Sequence, residues 1–131
     1  MEARVLTETD ANAYRLMRLR SVEERPMLAS PEVQRELAVF AERTTGLLSA
    51  YPAEGTLVWG AFDDPSLTGA VAVTRRFSPG QPRRLSLWGM YVRPSYRGTP
   101  ASRILMEAVI AWYGQQPDEF KLHTWFSRDN I

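Results

Sequence analysis

Cysteine is absent from the 131 residues, and histidine occurs once. Without a thiol there is no disulfide and no thiolate metal site, and a reducing cytoplasm is the expected setting. A single histidine with no companion cluster of acids leaves metal chemistry unsupported, so no metal is expected. An excess of either charge sign is lacking too. The net charge is +1, so no overall field draws the chain to nucleic acid or to an anionic membrane, and neither is expected as a partner. Any anion site must therefore be local. No apolar run approaches the roughly 20 residues that span a bilayer. The opening "MEARVLTETD" has no apolar stretch after a basic start and does not read as a signal peptide. Repeats, linkers and low-complexity tracts are missing as well. What is there is 44% hydrophobic and 24% charged, an ordinary soluble globular composition. The length suits one domain, residues 1–131, and not two.

Period and punctuation divide the chain. "ARVLT" is short and β-branched and reads as a first strand. "TDANAYRLMRLRSVEERP" sets Ala13, Leu16, Met17 and Arg20 on one helical face, with Asp10 as a cap and Pro26 as a stop. "SPEVQRELAVFAERTTGLLSAY" opens with Ser30 as N-cap, Pro31 at the first helical position and Glu32 near the positive dipole end. Its Val33, Leu37, Phe40, Ala41, Leu47 and Leu48 recur at helical spacing. After Gly55 the period shortens. "TLVWGAF", "AVAVTRRF" and "RRLSLWGMYV" read as three strands of an antiparallel meander, joined by turns at "DDPSLTG" and "SPGQP". A loop over 93–100 then leads into a helix with Ile104, Leu105, Ala108, Val109 and Trp112 on its buried stripe, closed by Gly114 and Pro117. "EFKLHTWF" is a last strand. The order β-α-α-β-β-β-α-β predicts an α/β (α+β) fold with a mixed, mostly antiparallel sheet flanked by helices. The last helix is the right-handed crossover between two parallel strands.

The stretch Arg97-Gly98-Thr99-Pro100-Ala101-Ser102-Arg103 carries the chemistry. The first amides of a helix lack intrahelical partners and sit at the positive end of its dipole. Small residues at a strand-loop-helix turn let a phosphate approach them. Gly98, Ala101 and Ser102 are small, Ser102 adds a hydroxyl, and Arg97 and Arg103 add charge. A capped helix start with solvated arginines explains the same residues equally well. The segment is neither a Walker loop, for want of Gly-Lys-Ser/Thr, nor a Gly-x-Gly-x-x-Gly turn. Gly89 inside a strand suits a β-bulge, or simply tight packing beneath Trp88.

"LWGMYVRPSYRGTPASRILMEAVIAWY" resembles the acetyl-CoA-binding segment of the GNAT superfamily of N-acetyltransferases, whose signature is Arg/Gln-x-x-Gly-x-Gly/Ala at a helix start after a strand. Arg97 fits its first position, and the element order agrees with that family over the whole chain. The resemblance implies an acetyl-CoA-dependent N-acetyltransferase in which a primary amine of a small molecule or peptide attacks the thioester directly. It implies that amides around 97–103 hold the CoA pyrophosphate, with Arg97, Gly98, Thr99, Ala101, Ser102 and Arg103 as contacts. Met90, Tyr91 and Val92 are then expected to offer backbone groups to the pantetheine arm as an added strand would, and Gly89 to mark a bulge that opens a slot for the thioester. Pro100 departs from the signature's glycine and Ser102 from its Gly/Ala. Proline lacks an N–H. A hydrogen bond to a charged group is worth about 1.5–3 kcal/mol, so CoA affinity is expected to fall about tenfold or more. A non-catalytic acyl-CoA-binding or interaction module on the same scaffold is the alternative.

Other residues carry less. His123 reads as a structural strand histidine, and Trp59, Trp88, Trp112 and Trp125 as core or slot-lining residues. Arg15, Arg18, Arg20 and Arg25 read as the solvated face of the first helix, a region that borders the acceptor site in the family. No catalytic acid or base is assigned. Asn130 matches an Asn that, in the family, follows the fifth strand and precedes a Tyr-bearing helix and two closing strands. It is therefore expected to border the cofactor. With those elements missing after Ile131, the chain is expected to be a poor enzyme. It is also expected to associate with itself through an exposed strand face at Leu122, Thr124 and Phe126.

Overall fold

The computed structural model describes residues 1–24, 35, 56–76, 84–117 and 120–124. Apart from residue 35, the expected helix over 30–51 lies outside these residues, as do the turn at 78–82, Trp125, Phe126 and Asn130.

Five strands and two helices of α type are described: β1 (Glu2–Val5), α1 (Ala11–Glu23), β2 (Thr56–Asp63), β3 (Ser66–Arg76), β4 (Arg84–Val92), α2 (Ala101–Tyr113) and β5 (Lys121–Thr124). Single 3-10 turns stand before each helix, at Glu8–Asp10 and Pro94–Tyr96. The strands lie side by side in chain order. β1 to β4 are antiparallel, and β4 pairs β5 in parallel from Arg84↔Lys121 to Leu87↔Thr124. The crossover through α2 makes the parallel pair, as the order of elements predicts.

Strand side chains alternate between faces, and here both faces are covered. Leu57, Trp59, Ala61, Val71, Val73, Leu85 and Leu87 meet Ala101, Leu105 and Val109 of α2. Val58, Leu67, Ala70, Ala72 and Tyr91 meet Leu6 and the α1 residues Tyr14 and Met17 on the other side. That explains the unbroken apolar run of β2, in which Thr56 to Ala61 are all buried. Trp88 Nε1 donates to Thr74 Oγ1 at 2.8 Å, and Thr74 shares a 3.0 Å bond with Thr56; the buried Tyr14 hydroxyl has no hydrogen-bond partner among the described residues.

Two sequence expectations need correction. The turn read over "DDPSLTG" is only Asp64-Pro65. β3 starts at Ser66, with Asp63↔Ser66 already paired, and a register shift at Ala61/Phe62 absorbs the mismatch. Within it, the Thr68 hydroxyl donates to the Ala61 carbonyl at 3.0 Å. On α1 the core face is Tyr14, Met17 and Ser21, while Leu16 is 47% exposed. Tyr14 offers more area to the sheet than Ala13 does, and the helix rolls to bury it. Asp10 does cap, but from the 3-10 turn: its carboxylate accepts the Thr7 amide at 2.8 Å and both Arg4 Nη atoms at 2.9 Å.

Candidate functional site: the end of β4 and the start of α2

Trp88 lies opposite Ala72 and Tyr91 opposite Ala70, so Gly89 and Met90 together face Val71. This is the expected bulge, and Gly89 holds it with φ of +68°, a region that side chains other than glycine rarely adopt. The space a side chain would fill there is taken by Arg18 of α1. Its Nη1 lies 3.0 Å from where a Gly89 Cβ would stand, and its guanidinium lies 5.5 Å from the Trp88 ring centre. The described β4–β5 pairing ends at Leu87, before the bulge.

Beyond the bulge β4 presents one edge to β3. The Arg93 amide donates to the Thr68 carbonyl at 2.8 Å, and Tyr91 pairs Ala70. In an antiparallel ladder alternate residues point their polar groups away, so Val92, between these two, aims its backbone at the opposite edge. Arg97 reaches back there and donates Nε to the Val92 carbonyl at 3.0 Å. The Val92 carbonyl is thus engaged by a side chain of the same loop.

The Arg97 guanidinium does more. Nη2 donates to Glu24 Oε2 at 2.6 Å, and the group lies 5.6 Å from the Tyr91 ring centre. The other Glu24 oxygen accepts the Tyr91 hydroxyl. The end of α1, the last turn of β4 and the loop before α2 are tied through this one carboxylate. The two donors, Tyr91 and then Arg97, hold Glu24 below the ordinary carboxylate range. Burial and the Glu24 carboxylate push Tyr91 up to about 12. Glu24 escapes a reading of the sequence because its partner is 73 positions away and no local spacing announces it.

The loop then turns tightly. The Thr99 hydroxyl donates to the Tyr96 carbonyl at 2.5 Å, and the Tyr96 hydroxyl donates to Asp63 at 3.1 Å. Gly98 has φ of +84°, and a Cβ there would meet nothing within 4 Å. Pro100 sits at the helix N-cap, and its carbonyl accepts the Ile104 amide at 2.9 Å. The Ala101 amide points at the Thr99 hydroxyl, 3.4 Å away. The amides of Ser102 and Arg103 have no acceptor among the described residues, as expected of a helix's first turn. Both side chains are exposed, with Arg103 3.8 Å from Glu107.

Of the residues expected at the cofactor, Gly98, Thr99, Ala101, Ser102 and Arg103 come together at this helix start. Met90, Tyr91 and Val92 line the strand leading to it. The Arg97 side chain is turned back toward Glu24 and Val92, and Asn130 lies outside the described residues. Among the described residues no group of three or more His, Cys, Asp or Glu is placed to hold a metal, and no helix is long and apolar enough to cross a membrane.

Comparison with known proteins agrees with this geometry. The family model of the GNAT acetyltransferases matches residues 14–130. A GCN5-related N-acetyltransferase from Ralstonia eutropha superposes with a TM-score of 0.75 at 17% identity, over 98% of this chain and 85% of that one. A predicted acetyltransferase from Clostridium acetobutylicum, solved with acetyl-CoA, gives 0.70 at 14% identity over 97% and 81%. An aminoglycoside N-acetyltransferase in complex with CoA gives 0.67 at 17% identity over 98% and 78%. A search among curated proteins finds no match. With the family model covering most of its length, the chain belongs to the GNAT acetyltransferase family.

Proposed function

We propose that this protein is an acetyl-CoA-dependent N-acetyltransferase that moves an acetyl group to a primary amine of a small molecule or peptide by direct attack. The observation that carries the reading is the exposed start of α2. The Ser102 and Arg103 amides there lack an acceptor among the described residues, behind a loop whose Gly98 faces open space. Such a terminus suits a pyrophosphate. Ser102 adds a hydroxyl donor and Arg103 an exposed charge, while Gly98 and Ala101 keep the approach unobstructed. Pro100 removes one donor, so CoA is held more weakly than with a glycine there. The edge of β4 turned away from β3, from Met90 to Val92, suits the pantetheine arm, and Arg97 acts by fixing the loop to Glu24 and to the Val92 carbonyl.

Bound acetyl-CoA supplies an activated acetyl group as a thioester, which the neutral amine attacks as the thiol leaves. The chain's own part is alignment of the two reactants and exclusion of water. No histidine, cysteine or metal is required for this. The Tyr91 hydroxyl, raised in pKa and donating to Glu24, stays neutral through the physiological range.

Two solved relatives of the fold are described with CoA or acetyl-CoA bound, and one of these is named for an aminoglycoside acceptor. The acceptor here is left at the level of a primary amine. The test is thiol release from acetyl-CoA over a panel of aminoglycosides, polyamines, amino acids and peptide N-termini. Turnover with at least one amine supports the reading. CoA binding with no turnover across the panel favours the second reading, an acyl-CoA-binding module, to which the missing Pro100 donor and the diverted Arg97 also point.

A further inference from the structure

The roll of α1 that buries Tyr14 leaves Ala13, Leu16, Met17 and Arg20 along a groove. Its other wall is the β2–β3 turn and the start of β3, Pro65, Ser66 and Leu67, and Arg93 at the end of β4 closes it. Its volume is about 270 Å³, small beside the roughly 300–1,000 Å³ of drug-sized pockets. None of the residues placed at the helix start of α2 lines it. Its floor is apolar: Leu67 and Met17 are buried, and Leu16 keeps 47% of its surface in water.

The charges are one-sided. Arg20 and Arg93 are the ionisable side chains among the described lining residues, and neither has an ion pair or hydrogen bond from its side chain among the described residues. Their neighbours elsewhere are engaged: Arg4 pairs with Asp10 and Arg97 with Glu24. Two arginines without an ion pair among the described residues, a serine hydroxyl and an apolar floor select one kind of occupant. We propose that the groove binds a small amphiphilic anion, a carboxylate or phosphate head on Arg20 and Arg93 with a short apolar body over Leu16, Met17 and Leu67. Arginine presents a planar fork of donors to such heads, and the body removes Leu16 from water. The site is independent of CoA.

The test titrates hexanoate and hexyl phosphate into the full chain and follows amide resonances of α1 and the β2–β3 turn. Saturable shifts with a Kd on the order of 1 mM are expected for at least one of the two, and whichever binds more tightly identifies the head group as carboxylate or phosphate. Hexanol and inorganic phosphate, each with half of the chemistry, are expected to bind at least about tenfold more weakly. Arg20→Gln and Arg93→Gln should each weaken the better probe about tenfold, equivalent to about 1.4 kcal/mol. Leu16→Glu, on an exposed position that folding does not need, should abolish binding while leaving the thermal midpoint within a few degrees. Excess CoA should leave the probe's affinity unchanged. The proposal is overturned if neither probe saturates at concentrations on the order of 10 mM. It is equally overturned if the arginine variants bind as the parent does, or if CoA displaces the probe.

Discussion

Gly89 is where the bulge can be tested most simply, because only backbone conformation and one neighbouring side chain are at stake. Its φ of +68° lies in the left-handed region, which costs a residue with a Cβ roughly 1–2 kcal/mol. A Cβ would also come within 3.0 Å of Arg18 Nη1. That atom ends a flexible chain, and moving it to another rotamer costs about 1 kcal/mol or less. Gly89→Ala is therefore expected to destabilise by about 1–3 kcal/mol, the sum of the two. For a chain of this length each kcal/mol shifts the thermal midpoint by roughly 3–5 °C. Gly98→Ala separates the contributions, since its φ is +84° but its Cβ would meet nothing within 4 Å. It should show the backbone cost alone. Asparagine visits the left-handed region more readily than alanine, so Gly89→Asn should be milder than Gly89→Ala. Urea unfolding followed by tryptophan fluorescence gives all three values on one scale. An unchanged midpoint for Gly89→Ala refutes the positive-φ bulge. An asparagine variant as unstable as the alanine one shifts the cause to the contact with Arg18.

Three further outcomes are expected. Leu105→Ala removes a fully buried side chain between α2 and the sheet and should cost about 2–5 kcal/mol, read from urea midpoints; a loss below about 1 kcal/mol contradicts the packing described. Asp10→Asn removes the charge that pairs with Arg4 and caps the turn before α1, for about 1 kcal/mol near neutral pH. The Arg4 guanidinium lowers the Asp10 pKa below its unfolded value, so this advantage is complete above the ordinary carboxyl range. It disappears as pH falls through the lower folded value, and the two stability curves should converge at acid pH. Pro100→Gly restores an N–H at the helix start and should tighten CoA binding up to about tenfold by calorimetry; equal affinities show that this amide does not reach the ligand.

Much of this arrangement was legible in the residues. The strands β2, β3 and β4 announce themselves by apolar period, and α2 by its stripe at 104, 105, 108, 109 and 112 together with the small-residue loop before it; of that stripe Leu105 and Val109 are fully buried, joined by Ala101. A strand-interior glycine pointed to the bulge because few residues tolerate its backbone. Other features depend on tertiary contact. On α1 spacing ranks Leu16 with Met17, whereas the sheet selects the larger Tyr14. β3 starts four residues before the strand that the sequence predicts, because Asp, Pro and Gly over "DDPSLTG" signal a turn without saying that two residues suffice. The motif places Arg97 at the phosphate, and the sequence says nothing of its side chain's other partner. Its engagement with Glu24 depends on where the end of α1 meets β4, and no spacing encodes that.

The central claim is that the open start of α2 receives the CoA pyrophosphate, and amide NMR of the full chain during a CoA titration tests it most directly. The account predicts saturable shifts that are largest at Ser102 and Arg103, with smaller ones at Gly98 and along Met90 to Val92. An absence of binding, or saturable binding whose largest shifts lie away from this helix start, would contradict it.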